Sequence, residues 1–310
     1  VDVLIAADME GVAGIEHYGD CLPSHPRRYA RGRRLLPDEV LVAVEALRAA
    51  GAGRISVGDW HMVGTNVERE RMPAGVEVKP IADLALNEAE PSMSKAHGRP
   101  LDAVVMIGHH ARTPSPRGFC SHTFIWDMEV LLGGEQLSEV QTYAQALAAE
   151  GIPILVASGD RWLLEETDGG ELGSARLLAT KEGQGRGRAS SVDPAEAHAE
   201  LQEAIAAAVA GPLQPPPPRS YPAELVIRVE GKEIARSTVA HPADLLTQIA
   251  TVFRTSQVSR EYRQLAKLLP ADSSPPSLHP TPPRQPPRNA GDALQGARLA
   301  GRGRLRRVTA

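Results

Sequence analysis

Four short apolar runs, each bounded by turn residues and each followed by a carboxylate or an imidazole, constrain this chain more than any other feature. They are VLIAA (3–7), RISVG (54–58), AVVMIG (103–108) and PILVA (153–157). Their shortness, with apolar residues on both faces, marks buried strands. Helical patterns lie between them. In PDEVLVAVEALRAAG, Pro37, Asp38 and Glu39 suit a first turn, Val40, Val44 and Leu47 share a face, and Gly51 ends the helix. QLSEVQTYAQALAAEG (136–151) reads as a second helix stopped by Gly151. Asp193-Pro194, with Glu196 completing a capping box, opens a third that runs through AELQEAIAAAVAG. Strands alternating with helices predict an α/β fold with a largely parallel sheet flanked by helices.

Proline punctuates the rest. GPLQPPPPRSYP (211–222) closes a catalytic α/β domain over residues 1–210 and opens a smaller unit over 211–268, in which ELVIRVEGKEIARSTV (224–239) reads as a hairpin around Glu230-Gly231. From residue 269 to 310 the chain is proline-dense, and its last thirty residues carry seven arginines against a single acid, Asp292. Such a tail is expected to be disordered and solvated. Aromatic residues are only 4% of the chain, so the core has to be built from Ala, Val, Leu and Ile.

Several function classes are disfavoured. A net charge of -4 gives no push toward nucleic acid or an anionic membrane surface. No apolar run approaches the roughly 18 residues of a membrane-spanning helix, and VDVLIAADMEG lacks the basic region and cleavage pattern of a secretory signal. Cytoplasm is the expected compartment, with no specific nucleic-acid partner and no membrane. Cys21 and Cys120 are the only cysteines, too few for a disulfide framework or a cysteine zinc site.

The chemistry collects at the strand ends. Asp8-Met9-Glu10-Gly11 follows the first strand, Asp59-Trp60-His61 the second, His109-His110 the third, and Gly159-Asp160 the fourth. In open α/β sheets, ligands bind at the carboxyl edge of the strands. Carboxylates and imidazoles without thiolates suit zinc, manganese or iron at a hydrolytic site, and carboxylates crowded together resist joint ionisation unless a cation joins them. Each piece alone is also compatible with an ordinary structural role. Neighbouring His109 and His110 cannot both face one site from an extended chain, so one is a ligand candidate and the other packs. Asp59 and Asp160 are candidates to orient histidine ligands, and Arg112 either orients a substrate carboxylate or pairs with a nearby acid. Cys120 beside His122 invites a Cys–His nucleophile, although a buried small thiol is the more ordinary role.

Together, DMEG (8–11), GDWH (58–61), GHHAR (108–112), SHTF (121–124) and Glu139 resemble the zinc-dependent D-aminopeptidases of the DppA type, in order and spacing, across roughly residues 1–210. The resemblance implies two Zn2+ per subunit. Asp8 would bridge both ions, Glu10 and His110 would complete one, and His61 and Glu139 the other. His122 takes the catalytic position, as proton shuttle or as nucleophile. Of the adjacent pair, His110 matches because it precedes Ala111-Arg112. Ser138 and Val140 depart from the family's surroundings of Glu139, and Glu135 is the nearby alternative. Lys181 resembles a family lysine without a defined role.

The implied activity is metal-assisted hydrolysis of short peptides with an N-terminal D-residue, of D-Ala type, in a ring-like homo-oligomer. Two alternatives remain open: another dinuclear amide or ester hydrolase, and a peptide-binding protein with a degenerate site. Deleting residues 270–310 is expected to leave peptidase turnover unchanged. A large drop in kcat for the truncated chain would show that the tail serves the site.

Overall fold

The four apolar runs do form parallel strands. In the computed structural model, which describes residues 1–62, 64–80, 93–96, 100–167 and 170–255, the chain begins with β1 (Asp2–Ala7) and a long helix α1 (Pro26–Ala49). It continues through β2 (Arg54–Asp59), β3 (Glu77–Pro80), a short α2 (Met93–Ala96) and β4 (Ala103–His109). Two short strands follow, β5 (Met128–Leu132) and β6 (Glu135–Leu137), then α3 (Glu139–Glu150), β7 (Ile154–Asp160) and α4 (Arg161–Glu166). After β8 (Arg176–Gly183), β9 (Ala189–Ser191) and α5 (Pro194–Ala210) come the hairpin β10 (Ala223–Val229) and β11 (Lys232–Val239), and finally α6 (Asp244–Thr255). The tail expected over 269–310, and the end of the smaller unit near 268, lie outside the described residues.

The main sheet runs in the order β3-β2-β1-β4-β7-β8-β9. All neighbours are parallel except β9, which lies antiparallel on the edge. Apolar clusters cover both faces. One face carries α1 and α5, with Leu36, Val40, Val44 and Leu47 of α1 fully buried against Val3, Ile5 and Ile55. The other carries α3, with Val140, Tyr143 and Leu147 against Leu4, Val104 and Met106. Burial of each such side chain contributes about 2 kcal/mol. This is the largely parallel α/β fold that the alternating pattern predicts.

A second sheet has the order β11-β10-β5-β6. The expected hairpin forms with Glu230 (φ 50) and Gly231 (φ 72) both left-handed, the backbone of a two-residue turn that matches strand twist. Its strand β10 pairs antiparallel with β5, so residues 128–137 and 223–239 share one sheet. Leu225, Ile227, Leu245 and Ile249 join Val130 and Leu137 in its core.

Two helix starts differ from expectation. The first helix begins at Pro26, not at Pro37, because PRRYARGRRLL is itself rich in helix formers, with proline at the favoured first position. Pro37 then lies inside the helix, where it removes the bond that the Arg33 carbonyl would accept. In the second, Gln136 and Leu137 belong to β6, and the helix starts at Glu139 behind an N-cap at Ser138. Ser138 and Gln141 form a reciprocal capping box, and Gly151 (φ 70) ends the helix as expected.

At the carboxyl edge of the sheet the backbones of β1 and β4 nearly touch. Gly108 is left-handed (φ 72), and a Cβ there would stand 2.2 Å from the Asp8 carbonyl oxygen and 2.7 Å from Val12 Cγ2. Only glycine fits both demands. Gly108→Ala is expected to destabilise the fold by about 2–4 kcal/mol, read from urea denaturation; an unchanged midpoint would show that the two strand ends separate without cost.

Candidate metal centre

Because β1 lies between β2 and β4, the residues leaving these three strands emerge side by side. Ala7 pairs with both Asp59 and Ile107, so Asp8, His61 and His109-His110 all follow within three residues of the same level of the sheet. The order reverses at β1, with β2 on one side and β4 on the other, which is where α/β sheets open a binding crevice. Asp8 touches both neighbours. Its Oδ1 is 3.4 Å from His61 Nδ1 and its Oδ2 is 3.3 Å from His110 Nε2. Glu10 Oε2 lies 3.0 Å from the same His61 nitrogen.

Glu139 arrives from the opposite direction, at the first turn of α3. Its Oε1 stands 3.7 Å from both His110 Nε2 and His122 Nε2, and the His110 and His122 rings stack at 3.9 Å. All six residues singled out in the sequence therefore meet in one place. Donor atoms of Asp8, Glu10 and His110 lie within 4.8 Å of one another, and so do those of His110, His122 and Glu139.

Each imidazole is pinned by the main chain. His61 Nε2 donates to the Cys21 carbonyl at 2.8 Å, His110 Nδ1 to its neighbour Ala111 at 3.1 Å, and His122 Nδ1 to Cys120 at 2.7 Å. With one nitrogen of each ring committed as donor, the other faces the carboxylates, where it holds a proton or, once deprotonated, offers its lone pair to a cation. Oxygen and unprotonated nitrogen donors converging in a buried pocket suit zinc.

The electrostatics agree. Burial alone would push the His61 and His110 imidazoles down, yet the surrounding carboxylates hold both well above the usual histidine range: Glu10 and Asp8 for His61, Asp8 and Glu139 for His110. Burial alone would raise Asp8, but His110 and His61 hold it well below the usual carboxylate range. Glu139 is raised by burial, against the pull of His110 and His122. Such a cluster demands positive charge, and a divalent cation meets that demand as protons do. His122 is different: burial and the nearby His110 push it down to about 4, so it is neutral.

Main-chain contacts fix the loops that carry these groups. Lys181 on β8 reaches under the Asp8–Glu10 loop, its Nζ donating to the carbonyls of Glu10 (2.5 Å) and Ile15 (2.6 Å). Burial pushes its ammonium down to about 8. Buried Glu39 of α1 accepts the Ala13 N–H at 3.0 Å. Asp59 and Asp160 act on backbone, not on histidine rings. Asp59 accepts the N–H groups of Asn66 (2.5 Å) and Val67 (2.8 Å), and Asp160 those of Phe119 (2.7 Å) and Gly183 (3.0 Å). The loop bearing His122 holds Cys120, Phe124 and Asp127 at positive φ (47, 63 and 57), strain of the kind that collects at functional sites. The Phe124 N–H donates to Glu139 Oε1 at 2.6 Å and ties that loop to α3.

Other candidates resolve differently. His109 is buried edge-on to the Trp60 ring at 5.9 Å, and burial pushes it down to about 4, so it is the packing member of the pair. Glu135 is exposed and pairs with Arg219. Arg112 pairs with Glu166, its own N–H donating to that carboxylate at 3.0 Å and its guanidinium standing 3.4 Å away. Cys120 is buried with its thiol against that of Cys21, while His122 takes its carbonyl instead. The supports from Cys21, Lys181 and Glu39 are absent from the sequence reading as site parts. A lysine within a strand, Lys181 in RLLATKEG, was the one available signal; a backbone carbonyl leaves none.

A family model described as D-aminopeptidase matches residues 1–269. A D-aminopeptidase of Bacillus subtilis (strain 168) is 26% identical over 220 residues, spanning 68% of this chain and 77% of that protein. A solved structure described as the Zn-dependent D-aminopeptidase DppA from Bacillus subtilis, a self-compartmentalizing protease, superposes with a TM-score of 0.69 at 19% identity. That match covers 83% of this chain and 99% of the other, and it shows the shared fold.

Glu39 gives a pH signature. Burial pushes its carboxyl from an ordinary 4.5 up to about 6. The folded protein thus holds that proton more tightly than the unfolded chain, so the contribution is complete below about pH 4.5 and is lost as pH rises through about 6. The loss is about 2 kcal/mol. Relative to wild type, Glu39→Gln is expected to gain about that much stability between pH 4.5 and 7.5; a stability difference that stays flat with pH would refute the assignment.

Proposed function

The chain belongs to the D-aminopeptidase family, and on that premise we propose that it is a zinc peptidase removing N-terminal D-residues, of D-Ala type, from short peptides. Asp8, Glu10, His61, His110 and Glu139 would hold two ions, with Asp8 shared between them. The observation that carries this reading is Asp8 itself, whose two oxygens face different imidazoles. Donor atoms of Asp8, Glu10 and His110 lie within 4.8 Å of one another, which supports Glu10 and His110 on one ion; His61 and Glu139 would complete the other, as the family resemblance implies. That Glu139 is buried within the cluster, despite its unusual sequence neighbours, speaks against a degenerate site.

Zinc held there would supply Lewis acidity to the scissile carbonyl and acidify water. The protein's own part in proton transfer falls to His122. Its Nδ1–H is committed to the Cys120 carbonyl, so its free Nε2 accepts a proton from the attacking water and hands it to the departing amine. Once protonated, that nitrogen faces Glu139 Oε1 at 3.7 Å, which stabilises the transient charge. The stack on His110 and the short bond to Cys120 hold the ring in one orientation, so little reorganisation accompanies the step. The D-preference is supported by the family description. A homo-oligomer is supported by the self-compartmentalizing character of the DppA structure. Among the described residues no helix is long and apolar enough to cross a membrane.

Two variants and one pair of enantiomeric dipeptides test this. Purified protein is expected to bind two zinc ions per chain and to hydrolyse D-Ala-D-Ala but not L-Ala-L-Ala, with loss of turnover in chelator. Asp8→Ala should lose both metals and all activity. His122→Ala should keep the metals and lose about 10²–10⁴ in kcat. An emptied site in His122→Ala would make it a ligand, and equal turnover of both enantiomers would end the D-specific assignment.

A further inference from the structure

Among the described residues, the exposed large apolar side chains are aliphatic with one exception, Trp126, which is 40% exposed. It is not loose. Its ring borders His122 with 5.1 Å between centroids. The Arg186 guanidinium lies 4.7 Å from the indole centroid and is itself held by Asp127 at 2.5 Å. The Arg186 carbonyl accepts the Cys120 N–H at 3.1 Å, and the Asp127 carbonyl accepts from Glu230 N–H at 3.0 Å. The turn at residues 126–127 is thus fastened to the base of the His122 loop and to the β10–β11 hairpin. An aromatic side chain that is braced yet left facing solvent beside a proton-handling histidine is a contact surface awaiting an apolar group.

We propose that Trp126 is a specificity-determining residue that packs against the side chain following the scissile bond. This rests on the aminopeptidase reading above. His122 has the ligand His110 stacked on it at 3.9 Å, while Trp126 borders it on the exposed side of the site. The amine that receives the proton from His122 belongs to the released residue. That residue's side chain therefore projects from a point within reach of the indole, and an apolar one gains contact area there that glycine cannot supply. Removing the indole takes away a preference, not the proton transfer.

The test compares kcat and KM for D-Ala-Gly, D-Ala-D-Ala and D-Ala-D-Leu on zinc-loaded wild type, Trp126→Phe, Trp126→Leu and Trp126→Ala. Wild type is expected to favour D-Ala-D-Leu over D-Ala-Gly. Trp126→Ala should lose about tenfold in kcat/KM for D-Ala-D-Leu, mainly through KM, with a much smaller loss for D-Ala-Gly. Trp126→Phe should keep most of the preference, and Trp126→Leu part of it, so a misfolded alanine variant still leaves a graded series. An equal loss on all three peptides, confined to kcat, would mean that Trp126 only steadies His122 and would overturn the proposal. So would an unchanged preference accompanied by altered subunit assembly in sedimentation, which would make the indole a subunit contact. Should wild type turn over none of the three dipeptides, the aminopeptidase reading itself fails and this assignment falls with it.

Discussion

Asp8 is the point on which the structure turns: a carboxylate buried just past the end of β1, with one oxygen toward His61 and the other toward His110. A buried charge of this kind is tolerated only when partnered. Its partners arrive from strands on either side of β1, so the sheet's order decides the composition of the cluster. Glu139 closes the cluster from α3, and the Ser138 cap that starts that helix one residue earlier sets where its carboxylate projects. The negative charge gathered by Asp8, Glu10 and Glu139 then calls for cations, whether protons on imidazoles or metal.

Much of the site's precision comes from backbone rather than side chains. Three carbonyls, those of Cys21, Ala111 and Cys120, choose which nitrogen of each imidazole faces inward. Lys181 holds the carbonyls of Glu10 and Ile15, at the two ends of the segment that follows Asp8, and Asp59 and Asp160 gather the N–H groups of neighbouring loops. Glycine at 108 lets β4 approach the chain at Asp8 closely enough for His110 to reach it. The result is a rigid first layer of donors whose rotamers are determined from behind, which is what metal sites require of their surroundings.

The strands were legible because a short apolar run walled by turns has few other fates in a soluble chain. Asp8, Glu10, His61 and His110 were legible as candidate ligands because they closely follow those runs, at the one edge where parallel strands deliver chemistry, whereas Glu139 starts a helix and has no such position. Helix starts were less so. A proline at 37 reads locally as a beginning, and only the favourable run upstream of it, packed on β1, carries the helix back to Pro26. Likewise Gln136 and Leu137 have helical neighbours in sequence but pair with β5 across a tight turn, a partner that no local pattern reveals. The family resemblance singled out His110 of the adjacent pair through Ala111-Arg112, and the fold adds what the pattern could not: His109 packs edge-on to Trp60, while His110 reaches both Asp8 and Glu139.

The sequence by itself determined the α/β class, the strands and the polar groups that follow three of them, Asp8, Glu10, His61 and His110, since apolar periodicity and the position of polar groups are local properties; Glu139 on α3 and His122 on its loop were singled out only by the family resemblance. Tertiary structure alone decided which carboxylate oxygen meets which imidazole, that Lys181 and Glu39 brace the Asp8 loop from beneath, and that residues 128–132 pair with a strand nearly a hundred positions later. The physical reason is that these contacts depend on strand order, on register and on main-chain carbonyls, which every residue carries alike and no residue type announces.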